Sequence, residues 1–351
     1  MADDGLLVQA QPLTDFTQAV FEAVGMVAGD AADVAELLVW ANLRGVDSHG
    51  VLRIPWYVEL ADARLMNPRP DVRVTRETVA VCQWDADRSL GPPVTKMAMR
   101  AVTEKARAVG IGWGLIRNVT HQGAMAYYSM MAAEEGMAGI AIVCSPPNMA
   151  PHGARAAGFH NSPITIAVPT AERPPLVLDM ATSVAAGGKL QYAADRGAPL
   201  GEGWALDADG RPTTDATKAK ILVPAGLYKG SGLAMMFECL ASIMAANPLA
   251  EPFMAAGGAA RPHNQNSIVA AVDISAFGDP GEYAERVDAL IDGIKALPTA
   301  DGCDEVLVPG ELEHRAHARR AVDGIPLPAG TVAKLTAMAD RFGLPRLTGH
   351  E

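Results

Sequence analysis

Ile111-Gly112-Trp113-Gly114-Leu115-Ile116 runs into the polar stretch Arg117-Asn118-Val119-Thr120-His121-Gln122-Gly123, then into Ala124 to Glu135, then into Ala138-Gly139-Ile140-Ala141-Ile142-Val143-Cys144. A short apolar run, a polar loop, a helix-length segment and a second apolar run read as strand, loop, helix, strand. The same rhythm extends outward. Val72-Arg73-Val74 and Val79-Ala80-Val81 read as short strands, and Pro92 to Val109 as a helix ending at Gly110. Downstream, Ile164 to Val168, Leu176 to Leu178 and Ile268 to Asp273 are further strands. Strands and helices so interleaved predict an α/β or mixed α+β domain with helix-covered sheet faces.

The flanks read differently. Asp15 to Val24, behind Leu13 and Thr14, carries Phe16, Val20 and Phe21 as an apolar stripe. Asp30 reads as the cap of a second helix, Ala31 to Arg44, with Val34, Leu37 and Leu38 inward. A third spans Leu52 to Ala63, and Asn67-Pro68-Arg69-Pro70 reads as a link. From Glu282 the chain is helical again, with a strand-like Glu305 to Val308 and a last helix from Leu335 to Phe342. The expected organisation is a discontinuous helical domain (1–75 and 281–351) with a mixed-sheet domain (76–280) inserted.

A length of 351 residues suits two such units, and 49% hydrophobic with 20% charged residues is ordinary for a chain with a core. The net charge of -11 disfavours nucleic acid and anionic membranes as partners. Cys82, Cys144, Cys239 and Cys303 are scattered and read as small buried hydrophobes rather than as a disulfide or zinc framework. No basic segment followed by an apolar run opens the chain, and no apolar stretch reaches membrane-spanning length, so a cytoplasmic setting is expected.

The chemistry concentrates in a few places. Ser48-His49 precedes Arg53 by one helical turn, a spacing that lets an imidazole and a guanidinium face one pocket. A 2-oxo acid needs that pair: paired hydrogen bonds from arginine to its carboxylate, and a proton from histidine to its carbonyl. The plainer alternative is a capping histidine and a surface arginine. His121 lies in a polar strand-to-helix loop, where such domains place chemistry, or else it satisfies loop hydrogen bonds. Asp179, ending an apolar strand before Met180-Ala181-Thr182-Ser183, can orient a histidine, bind a cofactor hydroxyl or cap a helix. Lys229-Gly230-Ser231-Gly232 precedes an apolar helix, Leu233 to Ala245, and offers a lysine and free N–H groups to a phosphate without being a P-loop. No GxGxxG follows an early strand, no HExxH occurs, and no metal site is expected. His314 to Arg320 is a basic run that reads as a surface helix or a phosphate contact.

Taken in order, Asp47-Ser48-His49-Gly50 with Arg53, His121-x-Gly123, Asp179 to Ser183, Gly203-Trp204-Ala205-Leu206-Asp207, Thr213-Thr214-Asp215, Lys229-Gly230-x-Gly232-Leu233, Pro309-Gly310-Glu311 and Gly324-Ile325-Pro326-Leu327 give the chain a strong likeness. It resembles the malate/L-lactate dehydrogenase family of the non-Rossmann type, which includes ureidoglycolate, sulfolactate and diketogulonate enzymes and cyclic-imine carboxylate reductases. The resemblance implies a homodimer holding NAD or NADP and acting on a small 2-hydroxy or 2-oxo acid. It implies His49 as acid and base with Ser48 beside it, Arg53 on the carboxylate, and His121 and Asp179 at cofactor and substrate. Ser145, Met180, Ala181, Lys229, Gly230, Gly310 and Glu311 match cofactor-contacting positions. A reductase of a cyclic imine 2-carboxylate and a non-catalytic cofactor-binding protein are the alternatives. Three residues depart from the pattern or extend it. Gln122 stands where relatives have phenylalanine, which bears on reading the substrate tail. His160 stands in a stretch that is Gly-Thr-Asn-Pro in relatives, and Arg117 admits a second anionic group on the substrate.

Overall fold

The computed structural model describes residues 5–195, 197–258 and 263–349. The chain begins with strand β1 (Leu6–Val8) and helices α1 (Ala10–Val24) and α2 (Ala28–Leu43). Two 3-10 turns, Asp47–His49 and Val51–Arg53, lead into α3 (Ile54–Asp62). A mixed section follows: β2 (Arg73–Glu77), β3 (Val81–Asp85), α4 (Gly91–Val109), β4 (Ile111–Val119), α5 (Ala126–Glu134), β5 (Met137–Cys144), β6 (Ile164–Val168), β7 (Leu176–Met180) and α6 (Gly187–Asp195). Three two-residue strands, β8 (Ala205–Leu206), β9 (Pro212–Thr213) and β10 (Ile221–Leu222), form a small sheet. Next come α7 (Tyr228–Phe237) with a π-helical turn over Glu238–Ile243, α8 (Ala250–Ala255) and β11 (Gln265–Asp273). The chain ends with α9 (Pro280–Lys295), α10 (Glu311–Asp323), β12 (Ile325–Leu327) and α11 (Ala329–Phe342).

The main sheet has the order β2-β3-β4-β11-β5-β6-β7, with β3 and β4 parallel and every other pair antiparallel. Its centre is β11, buried on both faces from Gln265 to Ala271, which explains an unbroken Ile268-Val269-Ala270-Ala271-Val272 where an edge strand would alternate. One face is covered by α4 and α5. The other packs Leu115, Ile142 and Ile268 against Phe237 and Ala241 of α7 and its π-turn. Glycine sets how close the first pair of helices comes: a Cβ at Gly112 of β4 would lie 1.9 Å from the Val102 carbonyl oxygen of α4.

The two ends of the chain share one core. β1 pairs antiparallel with β12, and Ile325, Leu327, Leu335 and Ala339 pack with Leu13, Phe16, Phe21 and Tyr57. An Arg341–Asp62 ion pair at 2.7 Å adds α11 to α3.

Several local expectations change. Asp30 is not the cap of α2; it lies in the first turn, which begins at Ala28 behind Val27. Glu305 to Val308 forms no strand, because the Val308 N–H and the Val306 carbonyl are taken by the side chains of Glu311 and Lys295. Lys229-Gly230-Ser231-Gly232 does not precede its helix but is part of it, α7 having begun at Tyr228. Cys303 is exposed, and Cys239 is half-buried. Among the described residues no helix is long and apolar enough to cross a membrane, and no group of three or more His, Cys, Asp or Glu could hold a metal ion.

Gly112→Ala is expected to cost about 3 kcal/mol, since backbone must move to admit the methyl group. Urea unfolding measures it; a midpoint equal to wild type would show that α4 gives way freely.

Candidate active site

The turn that carries Ser48 and His49 is fastened from three sides. Buried Asn42, on α2, donates to Asp47 Oδ1 (2.7 Å) and accepts from the Val51 N–H (2.8 Å). Arg320, on α10, grips both oxygens of Asp47 at 2.7 and 3.1 Å. Gly50 is required here, because a Cβ would sit 2.2 Å from Asn42 Oδ1. The basic run His314 to Arg320 is thus a helix docked on this turn, with Arg44 donating to His314 Nδ1 (2.9 Å). That bond leaves the His314 proton on Nε2, which donates to the Pro175 carbonyl (2.9 Å) just before β7.

His49 and His121 face each other with ring centroids 5.7 Å apart and planes 21° from parallel. The Ser48 hydroxyl lies 3.0 Å from His49 Nδ1. Arg53 donates through Nε to the Ser48 carbonyl (2.6 Å), and its guanidinium lies over Trp56, 5.5 Å from the ring centroid. Among the described residues its two terminal nitrogens make no hydrogen bond. Burial, then Arg53, brings the His49 pKa down to about 4. Burial, with His49, Arg53 and His160 nearby, holds His121 well below the ordinary histidine value. The Gly123 N–H donates to His121 Nδ1 (3.2 Å) and the Tyr57 hydroxyl lies 2.6 Å from the same atom. Since an N–H can only donate, Nδ1 is the acceptor and the proton of His121 sits on Nε2. Both rings are therefore neutral at neutral pH, one next to an arginine whose paired donors are free.

The sheet gathers the other positions. β4 and β5 both run antiparallel to β11, and Ile164 of β6 pairs with Met180 of β7, so the ends of β4, β5 and β7 lie on one rim. His121, Ser145 and Asp179 occupy that rim. Ser145 Oγ accepts from Gln265 (2.7 Å), Gln265 Oε1 accepts from Gln122 (3.5 Å), and Thr95 donates to Gln122 (2.9 Å). Gln122 is 1% exposed and turned inward, so it supports Ser145 instead of reading a substrate tail. Asp179 accepts the Ala126 N–H that opens α5 (3.3 Å), and surrounding protein raises its carboxyl to about 6 although the residue stays open to solvent. No described histidine bonds to it. Gly230 lies under this segment, where a Cβ would be 2.3 Å from the Thr182 carbonyl oxygen, and Lys229 beside it is exposed. Gly310 backs onto β7, with the Val177 N–H reaching the Pro309 carbonyl at 3.4 Å. The Glu311 carboxylate is occupied by Lys295 (2.7 Å), Arg315 and the Val308 N–H. Arg117 is taken too: it pairs with Asp85 (3.1 Å) and donates to the Ala245 carbonyl.

Sequence reasoning missed Tyr57, Trp56, Asn42, Arg320 and Gln265. Trp56 and Tyr57 lie three and four residues beyond Arg53, in the helix that follows it, a spacing legible in the sequence. Arg320 meets Asp47 across 273 positions and left no local signal.

The family model for malate/L-lactate dehydrogenase matches residues 8–336. The L-sulfolactate dehydrogenase of Methanocaldococcus jannaschii is 35% identical over 330 residues, covering 93% of this chain and 94% of that protein. The NAD(+) ureidoglycolate dehydrogenase of Escherichia coli K12 is 30% identical over 306 residues, covering 86% and 87%. The malate dehydrogenase structure from Pyrococcus horikoshii superposes with a TM-score of 0.89 at 31% identity, covering 99% of this chain and 98% of that one. A match through nearly the whole chain, with the non-Rossmann sheet described above, makes this protein an oxidoreductase of the malate/L-lactate dehydrogenase family.

Proposed function

We propose that the protein is an NAD(P)-dependent dehydrogenase interconverting a small 2-hydroxy acid and its 2-oxo acid. The observation that carries this is a neutral His49 stacked on His121 beside the unspent paired donors of Arg53. The rim fits a nicotinamide dinucleotide. Among the described residues, buried Thr182 Oγ1 and His160 Nδ1 have no partner, and Leu178, Met180 and Val184 leave apolar surface exposed nearby in sequence. Ser145, Asp179, Met180, Ala181, Lys229, Gly230 and Gly310 would hold it, with Lys229 toward phosphate and Glu311 keeping Gly310 in place. Bound there, nicotinamide supplies the hydride exchanged with C2 of the substrate.

Arg53 takes the substrate carboxylate through two parallel hydrogen bonds and so fixes C2. That carboxylate also cancels the arginine charge which depresses His49, raising the basicity of His49 only when substrate is present. In oxidation neutral His49 accepts the hydroxyl proton; in reduction protonated His49 returns it to the carbonyl oxygen. Ser48 at Nδ1 sets the ring so that Nε2 does this work. His121, its proton on Nε2, donates into the same space. The apolar outer face of α7 and its π-turn, with Leu233, Met236, Leu240 and Ile243 exposed, supports the homodimer that belongs to this reading.

Three measurements test the reading. Oxidation of NADH or NADPH, followed by absorbance, is expected with at least one 2-oxo acid in a panel from pyruvate to aromatic acids. His49→Ala should lower kcat by about 100- to 10,000-fold while cofactor still quenches protein fluorescence; turnover within tenfold of wild type would remove His49 from its role. Gln122→Leu should raise the KM for cofactor about tenfold, the effect of one lost hydrogen bond in the support of Ser145, with kcat little changed; an equal fall in kcat would mean general damage.

Stability should depend on pH through the same groups. His49 and His160 are held at about 4, the latter chiefly by burial, and His121 also lies far below its ordinary value. The unfolded chain protonates these rings near pH 6.5, so it binds more protons than the folded chain below that pH. Stability present above about 6.5 is lost as pH falls toward 4, by about 1.4 kcal/mol per pH unit for each net proton. Asp179, raised to about 6 but open to solvent, acts in the opposite sense and offsets only part of this. Urea midpoints should therefore fall between pH 7 and pH 5, less steeply in His160→Asn. Identical slopes in wild type and variant would disprove the contribution of His160.

A further inference from the structure

A cavity of about 550 Å³ lies near the histidine pair, although His49, His121 and Arg53 do not themselves line it. Thr120, the neighbour of His121, lines it, as does His263, whose ring lies 5.8 Å from Trp56; Trp56 in turn lies 5.2 Å from His121. The chamber is thus one aromatic ring away from the reacting centre. Its volume is that of a ligand site and exceeds what the short side chain of a lactate- or malate-sized acid can fill.

Its lining includes the polar residues Arg88, Asn118 and Asn264 and is built with backbone that ordinary residues avoid. Arg88, Asn118, Ala246 and His263 all have positive φ, between 55° and 63°. Four such residues around one space mark a shape held by its surroundings, a feature that gathers at binding sites. Arg88 is held by its N–H on the Asn118 carbonyl (2.7 Å) and its own carbonyl on the Asn67 N–H (2.9 Å). The charges then sort themselves. Asp85 is neutralised by Arg117 at 3.1 Å and accepts from Asn118 at 3.0 Å, so that pair is spent within the wall. Arg88 donates only to the Arg64 carbonyl (2.8 Å) and pairs with no carboxylate among the described residues. It stands exposed at the mouth of the chamber with donors to spare.

We propose that this chamber receives the substrate side chain, and that it selects 2-oxo and 2-hydroxy acids with a side chain longer than that of malate, ending in an anionic group bound by Arg88. The inference rests on the dehydrogenase reading above, with Arg53 on the first carboxylate and Arg88 on the second. Arg117, the arginine that the sequence offered for this purpose, is already paired with Asp85. Asn118 and Asn264 also line the chamber.

The test compares substrates of equal length. With reduced cofactor saturating, kcat/KM is measured for pyruvate, oxaloacetate, 2-oxoglutarate, 2-oxoadipate and 2-oxohexanoate, in wild type and in Arg88→Gln. Wild type should favour 2-oxoadipate over 2-oxohexanoate by roughly ten- to a hundredfold, the worth of a charge-assisted hydrogen bond, and should favour it over oxaloacetate. In Arg88→Gln the ratio of 2-oxoadipate to 2-oxohexanoate should collapse toward one. A wild-type ratio near one, or a ratio unchanged by the substitution, overturns the proposal and leaves the dehydrogenase reading intact. Best activity with oxaloacetate or pyruvate also overturns it. Reduction of no 2-oxo acid at all overturns both. Asn264→Leu, at a second wall, should lower the longer diacids more than oxaloacetate, and an equal effect on all would count against the chamber.

Discussion

Two imidazoles stacked 5.7 Å apart with a guanidinium beside them can share a protein interior only while both rings stay uncharged. Protonating either one adds a positive charge near Arg53, and partial burial makes that repulsion costly. Much of the surrounding structure answers that constraint. Tyr57 and the Gly123 N–H fix where the His121 proton sits, Ser48 occupies one nitrogen of His49, and Trp56 shields the arginine with its face. On the proposed reading the same constraint makes the site responsive, because an arriving carboxylate would change the local charge and raise the basicity of His49.

The rigid part of the design is the sheet. Its central strand is buried on both faces, and Gly112 lets a helix lie against backbone, so the rim that carries His121, Ser145 and Asp179 has little freedom to move. The Thr95–Gln122–Gln265–Ser145 chain brings polar groups through this packed region, and each is satisfied by the next. A buried polar chain of this kind holds its end group in one orientation, since any member that turned away would leave its neighbour unpaired.

The central strands and helices were legible because their residues obey simple periods: β6 runs over Ile164–Val168 as read, and α4 stops at Gly110. The cluster of Ser48, His49 and Arg53 was legible from spacing on one short segment, and its meeting with His121 was suggested by resemblance. What stayed hidden depended on distant partners. Val306 and Val308 have strand-forming side chains, yet Lys295 and Glu311 claim their backbone groups. Gln122 looked like a substrate contact because sequence gives residue type and not direction. Arg117 looked like a free cation because Asp85 is remote in the chain and adjacent only once β3 and β4 pair.

The grip of Arg320 on Asp47 also sets a schedule. A ribosome makes the Ser48–His49 turn early and its clasp 273 residues later, a delay on the order of tens of seconds at ordinary elongation rates. During that interval β1 has no β12 to pair with, and the turn has no α10 to hold it. The chain can supply every strand of the main sheet while the Ser48–His49 turn is still unfastened, so the geometry of that turn is complete only once the last helices are made.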